Sequence, residues 1–475
     1  MARIAFGTGG WRAIIGDEFV RQNVRLLTSA LARKMLEEGV ADEGIVIGYD
    51  RRFLSDVAAQ WAAQVFAGHG IKASVIKLKQ APTPLIMWTV EHHGFPYGMA
   101  ITASHNPALY NGIKVFTRGG KDADKPVTDD IERRMADIEG AAEADIPELT
   151  YEEGLAQGLI EEINTFNGYI DSIMGMVDMD AIRNARLKVA LDPMFGVSRT
   201  SLQTLLLTAR CEVDVINDRH DTLFGGRLPS PTSHTLYSLS RFVTENGCDI
   251  GIATDGDADR IGIIDDRGQF VHPNQLLVML YYYLVKYKGW EGPVVRNVAT
   301  TSLLDDVAER FGQVCHEVPV GFKWISSKML ETNAILGGES SGGLTVRGHI
   351  SGKDGIYAAM LLVEMLAVSG KKMSELYDEI TGQFPPHYMA ETDFKFRPEQ
   401  KPEILKILME ERRLPEFSEE VTGTNYMDGC KVYFADGWII ARFSGTEPLL
   451  RIFCEMPDRE RAERTCEEFR QFLGL

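Results

Sequence analysis

The chain has 475 residues, with Lys plus Arg 50 against Asp plus Glu 68 and a formal net charge of −18. A chain of this length holds three or four domains with sizeable cores, and so acidic a surface repels nucleic acid and anionic membranes. Neither is expected as a partner.

Phe6-Gly7-Thr8-Gly9-Gly10-Trp11-Arg12 opens the chain with a glycine-rich turn, whose backbone can approach an anion, followed by an arginine. Val24, Leu27, Leu31 and Met35 recur at helical spacing, and Gly39 stops that helix. Gly44 to Asp50 is a short apolar run closed by a polar turn, the pattern of a buried parallel strand, and a helix over Ser55 to Phe66 follows. A second apolar run, Gly98-Met99-Ala100-Ile101, leads into Thr102-Ala103-Ser104-His105-Asn106-Pro107. A strand ending in a serine backed by histidine and stopped by Asn-Pro presents one hydroxyl at the rim of a sheet, where α/β enzymes keep reactive groups. Ser104 is the candidate nucleophile; a serine that bonds its own backbone or caps a helix is the structural alternative.

The acidic stretch from Asp122 to Glu162 is expected to form surface helices and a loop before a second domain begins. The strand, turn and helix rhythm returns at Leu187 to Leu191 with Asp192-Pro193, and at Val294 to Val298 with a helix over Ser302 to Phe311. Three such units predict three related α/β domains with mixed, parallel-rich sheets. Leu276 to Val285 is the most apolar run, at about ten residues too short to span a bilayer, and Met1 to Ala5 shows no signal-peptide pattern. Gly382-Gln383-Phe384-Pro385-Pro386 reads as a linker, after which residues 385–475 form a smaller α+β domain, the piece expected to move. Cys211, Cys248, Cys315, Cys430, Cys454 and Cys466 show no CxxC spacing, which argues against zinc and for reduced thiols in a cytoplasmic protein.

Three constellations carry chemistry beyond Ser104. In Asp255-x-Asp257-x-Asp259 the carboxylates alternate, so in an extended segment all three project to one side, and bunched carboxylates repel unless a hard cation such as Mg²⁺ sits among them. A calcium loop fails at its sixth position, where Arg260 replaces glycine. Gly337-Gly338-Glu339-Ser340-Ser341-Gly342-Gly343 sets an acid and hydroxyls between glycines, groups suited to a sugar. Arg442-Phe443-Ser444-Gly445-Thr446 offers a guanidinium and a glycine turn, a nest for a phosphate dianion.

Taken in series, these motifs resemble the α-D-phosphohexomutases, the family of phosphoglucomutase and phosphomannomutase, over nearly the whole chain. The resemblance implies a phosphoserine at Ser104, with Mg²⁺ held by Ser104, Asp255, Asp257 and Asp259 and a positive shell of Arg12, Lys114 and Arg260. It implies that His105 orients the phosphate, that Glu339 and Ser341 contact sugar hydroxyls, and that Arg442, Ser444, Gly445 and Thr446 bind the phosphate not being transferred. Each step needs a base for the sugar hydroxyl, for which Lys323 and His349 are the candidates. Gly321-Phe322-Lys323 and the segment His349 to Gly355 resemble the glucose branch, whereas Ser340 and Gly343 depart from the usual sugar-loop residues.

The reading is a four-domain enzyme, with limits 1–163, 164–270, 271–384 and 385–475 and an active site in the central cleft. It interconverts glucose 1-phosphate and glucose 6-phosphate, with Mg²⁺ as cofactor and glucose 1,6-bisphosphate as activator. Phosphomannomutase, dual specificity and phosphoglucosamine mutase are the rivals within the family. An aspartyl-phosphate phosphatase or a phosphosugar-binding sensor are the rivals outside it. No heptad or apolar stripe implies a protein partner.

Overall fold

The computed structural model describes residues 4–7, 9–77, 80–139, 146–443 and 449–474. It divides into two compact units, Met1–Pro273 with Ser341–Ser374, and Asn274–Ser340 with Glu375–Leu475.

The first unit carries two sheets. In the N-terminal one the strand Ile45–Tyr49 runs parallel to Ala73–Ile76 and to Tyr97–Ile101, and Tyr97–Ile101 turns back antiparallel to Tyr110–Thr117. Helices Arg21–Glu37 and Ser55–Gly68 pack on it, and the stripe Val24, Leu27, Leu31 and Met35 is fully buried in that core. The acidic stretch after Asp122 holds the helix Lys125–Glu139 and also a strand, Ile160–Ile163, parallel to Ala73–Ile76. That strand was not expected. It is an edge strand reading Ile-Glu-Glu-Ile in which only Ile160 is buried, so its apolar signal is a single residue.

The second sheet runs in the order Phe270–Val271, Ile261–Ile264, Ile250–Thr254, Lys188–Asp192, Glu212–Val215. Ile250–Thr254 and Lys188–Asp192 are parallel, so residues leaving their C-terminal ends emerge together, while Ile250–Thr254 and Ile261–Ile264 form a hairpin closed by Thr254 opposite Ile261.

In the second unit Val294–Asn297 pairs in parallel with Cys315–Val318 and Leu336–Gly338. The helix Pro273–Lys286 is buried continuously from Leu276 to Leu284, the signature of a core helix, and no helix among the described residues is long and apolar enough to cross a membrane. After the Gly382–Pro386 linker an antiparallel sheet runs in the order Tyr388–Lys395, Leu449–Met456, Trp438–Phe443, Cys430–Tyr433, Gly423–Asn425, backed by the helix Arg459–Phe472. The C-terminal segment therefore has the expected α+β make-up. It shares one compact unit with residues 274–340. Val298 and Ala299 pack against Trp438, Ile440 and Phe453, and buried Lys431 donates to Val298 O and Glu317 Oε2.

Polar ties reinforce that joint. His387 Nε2 lies 2.9 Å from Asp306 Oδ2 and its Nδ1 3.4 Å from Glu455 Oε1, which also accepts from Ser302 and from Trp438 Nε1. Burial opposes the imidazolium, but the bonds to Asp306 and Glu455 outweigh it and lift His387 to about 9. A histidine raised above its unfolded value of about 6.5 contributes stability that is full below that pH and lost as the pH rises through the folded value. Urea titrations of the full chain are thus expected to show this unit losing on the order of 2 kcal/mol between pH 6.5 and about 9. His387→Gln should flatten that slope; an equally steep loss in the variant would assign the effect elsewhere.

Candidate active site

Ser104 sits three residues past the strand Tyr97–Ile101, buried, with φ +51 in the left-handed region that serine avoids. A network under the loop holds it there. Thr102 Oγ1 donates to Asp50 Oδ2 at 2.6 Å and accepts from Ser104 N at 2.9 Å, and Asp50 Oδ1 accepts from Arg52 N and Ser55 Oγ. The Arg52 guanidinium then donates to four carbonyls of the same loop, those of Ser104, Asn106, Pro107 and Tyr110, at 2.7–2.9 Å. Neither Asp50 nor Arg52 was anticipated beyond a polar turn closing a strand. Arg52→Lys keeps the charge but not the planar fork that reaches four acceptors, and is expected to lower kcat by about 10²-fold with the fold intact. Steady-state rates and circular dichroism on the purified variant check this.

The three aspartates occupy the six-residue loop of the hairpin between Thr254 and Ile261. Sequence alternation suggested an extended segment with all three side chains on one side. The segment is instead a turn, with Ala258 at φ +64 and Ala258 N donating to Asp255 O, and the convergence comes from this curled backbone. Gly256 lets the loop approach the serine: a Cβ there would lie 2.7 Å from Ser104 O.

The two loops meet through side chains. Ser104 Oγ donates to Asp255 Oδ2 at 2.7 Å and lies 3.3 Å from His105 Nδ1. Lys114, inside the strand Tyr110–Thr117 and almost fully buried, donates to Asp257 Oδ2 and to Asp259 Oδ2, both at 2.7 Å. Thr83 Oγ1 donates to Asp257 Oδ2 at 2.7 Å, and Lys353 Nζ lies 2.9 Å from Asp259 Oδ2. Arg12 donates to Asn106 Oδ1 at 2.8 Å, and Arg260 Nε lies 3.8 Å from Asp259 Oδ1. Ser104, His105, Lys114, Arg12, Arg260 and the three aspartates thus gather in one place. Thr83 and Lys353 join them without having been anticipated. Lys353 lies in the segment His349 to Gly355, but nothing local marks it as a partner for Asp259.

The cluster is electrostatically polarised. Burial, then Asp257 and Asp259, push the Asp255 carboxyl well up, while for Asp259 burial is overcome by Lys114, Lys353 and Arg260, which hold it well down. Burial opposes the Lys114 charge but Asp257 and Asp259 raise its pKa, and Arg260, burial and Arg12 press His105 well below the ordinary imidazole range. His105 is therefore a neutral hydrogen-bonding group.

The cluster also fits a metal ion. Asp255, Asp257 and Asp259 each offer an oxygen within 4.8 Å of the others, and buried Asp257 Oδ1 and Asp259 Oδ1 have no hydrogen-bond partner. Each of these two carboxylates thus presents one oxygen to Lys114 and leaves the other for a cation, and an all-oxygen set suits a hard divalent ion.

His349 is paired with a carboxylate. Its Nε2 lies 2.6 Å from Asp354 Oδ2, its ring is 4.5 Å from that of Tyr357, and its side chain is 1% exposed. Asp354 also caps the helix Gly355–Ser369 and accepts from Tyr169 Oη, so His349 is joined to a buried hydrogen-bond network. Ser341 is exposed in the same unit.

In the second unit, Glu339 Oε1 accepts from Gly321 N at 3.1 Å, which fixes the carboxylate at the start of the helix Phe322–Thr332, where Lys323 stands 5.4 Å from the Trp324 ring. Arg442 Nη2 lies 3.4 Å from Asp428 Oδ2, which also accepts from Val320 N. Ser444, Gly445 and Thr446 lie outside the described residues.

Four family models match the chain: phosphoglucomutase/phosphomannomutase alpha/beta/alpha domain I over residues 3–142, domain II over 167–268, domain III over 272–384 and the C-terminal domain over 402–472. A phosphoglucomutase/phosphomannomutase of Thermococcus kodakarensis is 32% identical over 97% of this chain and 96% of its own. A phosphoglucosamine/phosphogalactosamine mutase of Sulfurisphaera tokodaii is 29% identical over 98% of each chain. A crystal structure from Thermus thermophilus, of a protein provisionally named a phosphomannomutase, superposes with a TM-score of 0.84 at 29% identity over the full length of both chains.

Proposed function

The chain belongs to the phosphoglucomutase/phosphomannomutase family, a family of mutase enzymes, and from that premise we propose that it interconverts the 1- and 6-phosphates of glucose through a phosphoserine at Ser104. The observation that carries the reading is the 2.7 Å contact between Ser104 Oγ and Asp255 Oδ2 at the mouth of a three-aspartate cluster backed by Lys114.

In this mechanism phospho-Ser104 transfers its phosphoryl group to the free hydroxyl of a hexose monophosphate. The Ser104 Oγ–P bond breaks as a sugar O–P bond forms, the sugar hydroxyl proton passes to the Lys323 amine, and Ser104 Oγ takes up a proton from water to restore the hydroxyl. The resulting 1,6-bisphosphate turns over and returns its other phosphate to Ser104, whose hydroxyl proton is held by Asp255 Oδ2. Glucose 1,6-bisphosphate in trace amounts primes the serine. His105, kept neutral, donates or accepts a hydrogen bond beside Oγ, and Arg12 and Arg260 supply positive charge for the phosphate. A divalent cation such as Mg²⁺ held by Ser104, Asp255, Asp257 and Asp259 would neutralise phosphate charge and polarise the phosphorus.

Lys114, by neutralising Asp257 and Asp259 from behind, keeps three carboxylates together. Glu339, Ser341 and the Arg442 to Thr446 loop are assigned to the sugar and its second phosphate. The proton acceptor for the sugar hydroxyl is assigned to Lys323, since His349 is committed to Asp354. Six free cysteines suit a cytoplasmic enzyme. Glucose is favoured over mannose by Gly321-Phe322-Lys323.

Turnover of glucose, mannose and glucosamine 1-phosphates by the purified enzyme tests the substrate, with glucose expected fastest; a mannose or glucosamine preference would replace that assignment. EDTA is expected to abolish turnover and Mg²⁺ to restore it. Mn²⁺ bound per chain, read by electron paramagnetic resonance, should fall about tenfold or more in Asp257→Asn and Asp259→Asn. Unchanged Mn²⁺ uptake in both would remove the metal from these aspartates.

A further inference from the structure

At the N-terminal edge of the second sheet the parallel strands Lys188–Asp192 and Glu212–Val215 pair with Lys188 opposite Glu212. Arg186 and Arg210 each precede those partners by two positions, so the register sets them side by side. With Asp180, Arg183 and Asn184 from the preceding helix Met179–Ala185 they line an open cleft of about 850 Å³. The catalytic loop leaves the opposite, C-terminal edge of this sheet, after Thr254, about one strand length or roughly 15 Å away.

Three guanidinium groups face this cleft against the single carboxylate of Asp180, in a chain whose net charge is −18, so general basicity does not account for them. Arg183 is engaged, its Nη1 2.8 Å from Asp180 Oδ1 and its Nε 3.5 Å from Thr208 O. Arg186 and Arg210 are exposed and make no hydrogen bond or ion pair through their side chains with the described residues. Both also adopt left-handed backbone, φ +50 and +60, just past the helices Met179–Ala185 and Arg199–Thr208, where glycine or asparagine is the usual choice. Two arginines held at strained positions over one cleft, with their forks unspent, are suited to a ligand that accepts several parallel N–H bonds.

We propose that this cleft binds the phosphate groups of a phosphorylated small molecule at a site separate from Ser104. A pyrophosphate or a phosphate monoester presents the planar pairs of oxygens that guanidinium forks match. A nucleotide and a sugar phosphate both carry that group.

The test uses the full-length enzyme and the double variant Arg186→Gly/Arg210→Gly, with Arg186→Asn/Arg210→Asn as a second, equally left-handed pair should glycine perturb the fold. Calorimetric titration with pyrophosphate at fixed NaCl is expected to show about one more equivalent bound to the wild type than to either variant, or a loss of affinity of about tenfold or more for that class of sites. Displacement by ATP or by glucose 6-phosphate identifies which source of phosphate the cleft prefers. Neither position touches the catalytic cluster, so the variants should keep the mutase rate and, relieved of the left-handed strain, melt at the same temperature or slightly higher. If the arginines only oppose the dipoles of the two helix C-termini, wild type and variants will take up the same number of equivalents with equal affinity. That result overturns the proposal.

Discussion

Ser104→Ala is expected to lower the interconversion rate on the order of 10⁴-fold or more, because in the proposed mechanism it removes the one atom that exchanges phosphate with the sugar. The effect should be chemical rather than structural. The loop keeps its Arg52 bonds to the carbonyls of residues 104, 106, 107 and 110, and the loss is a single hydroxyl donor to Asp255 Oδ2. Alanine at φ +51 inherits the serine's strain rather than adding to it. Intact mass after incubation with glucose 1,6-bisphosphate and Mg²⁺ should rise by one phosphate in the wild type and not in the variant. A phosphate retained by the alanine chain, or a rate within tenfold of wild type, would end the phosphoserine mechanism.

Lys114→Met is expected to be the most destabilising substitution at the site. Lys114 is almost fully buried and bonds two buried carboxylates, and removing one partner from such a cluster leaves the other charges uncompensated, at a cost of about 3–5 kcal/mol. Lys353→Met should cost less, since among the described residues Lys353 pairs with one carboxylate, Asp259, and its side chain is 12% exposed against 5% for Lys114. Unfolding in urea with circular dichroism, with and without Asp257→Asn in the Lys114→Met background, measures this. Partial recovery in the double variant is expected, because neutralising Asp257 removes part of the uncompensated charge. If the lysine variant is as stable as the wild type, Asp257 and Asp259 are held by something other than Lys114.

Much of the fold was legible in order along the chain because its elements carry strong local patterns. The apolar stripe from Val24 to Met35, the run from Ile45 to Tyr49 and the Gly382 to Pro386 break each impose one conformation on a short segment, whatever surrounds it. Ile160–Ile163 escaped because an edge strand with one buried residue derives its conformation from the neighbour it pairs with. Likewise the joint between residues 274–340 and the C-terminal sheet rests on Lys431, Trp438 and His387, none of which announces its partner locally.

By itself the sequence determined the chemical inventory of the site: a serine after a strand, a lysine ten residues on, and three alternating carboxylates. Side-chain type is a local property, and these types are the ones that a phosphate and a hard cation would call for. Only the tertiary structure decided how they meet. The aspartates converge through a hairpin turn with Ala258 in a left-handed conformation, where alternation along a strand had been expected, and Gly256 permits the approach to Ser104. Asp50, Arg52, Thr83 and Lys353 join the Ser104 cluster because hydrogen-bond partners far apart in sequence are chosen by packing and register. Turn geometry and burial are set by everything the loop rests against, and no window of neighbouring residues contains that information.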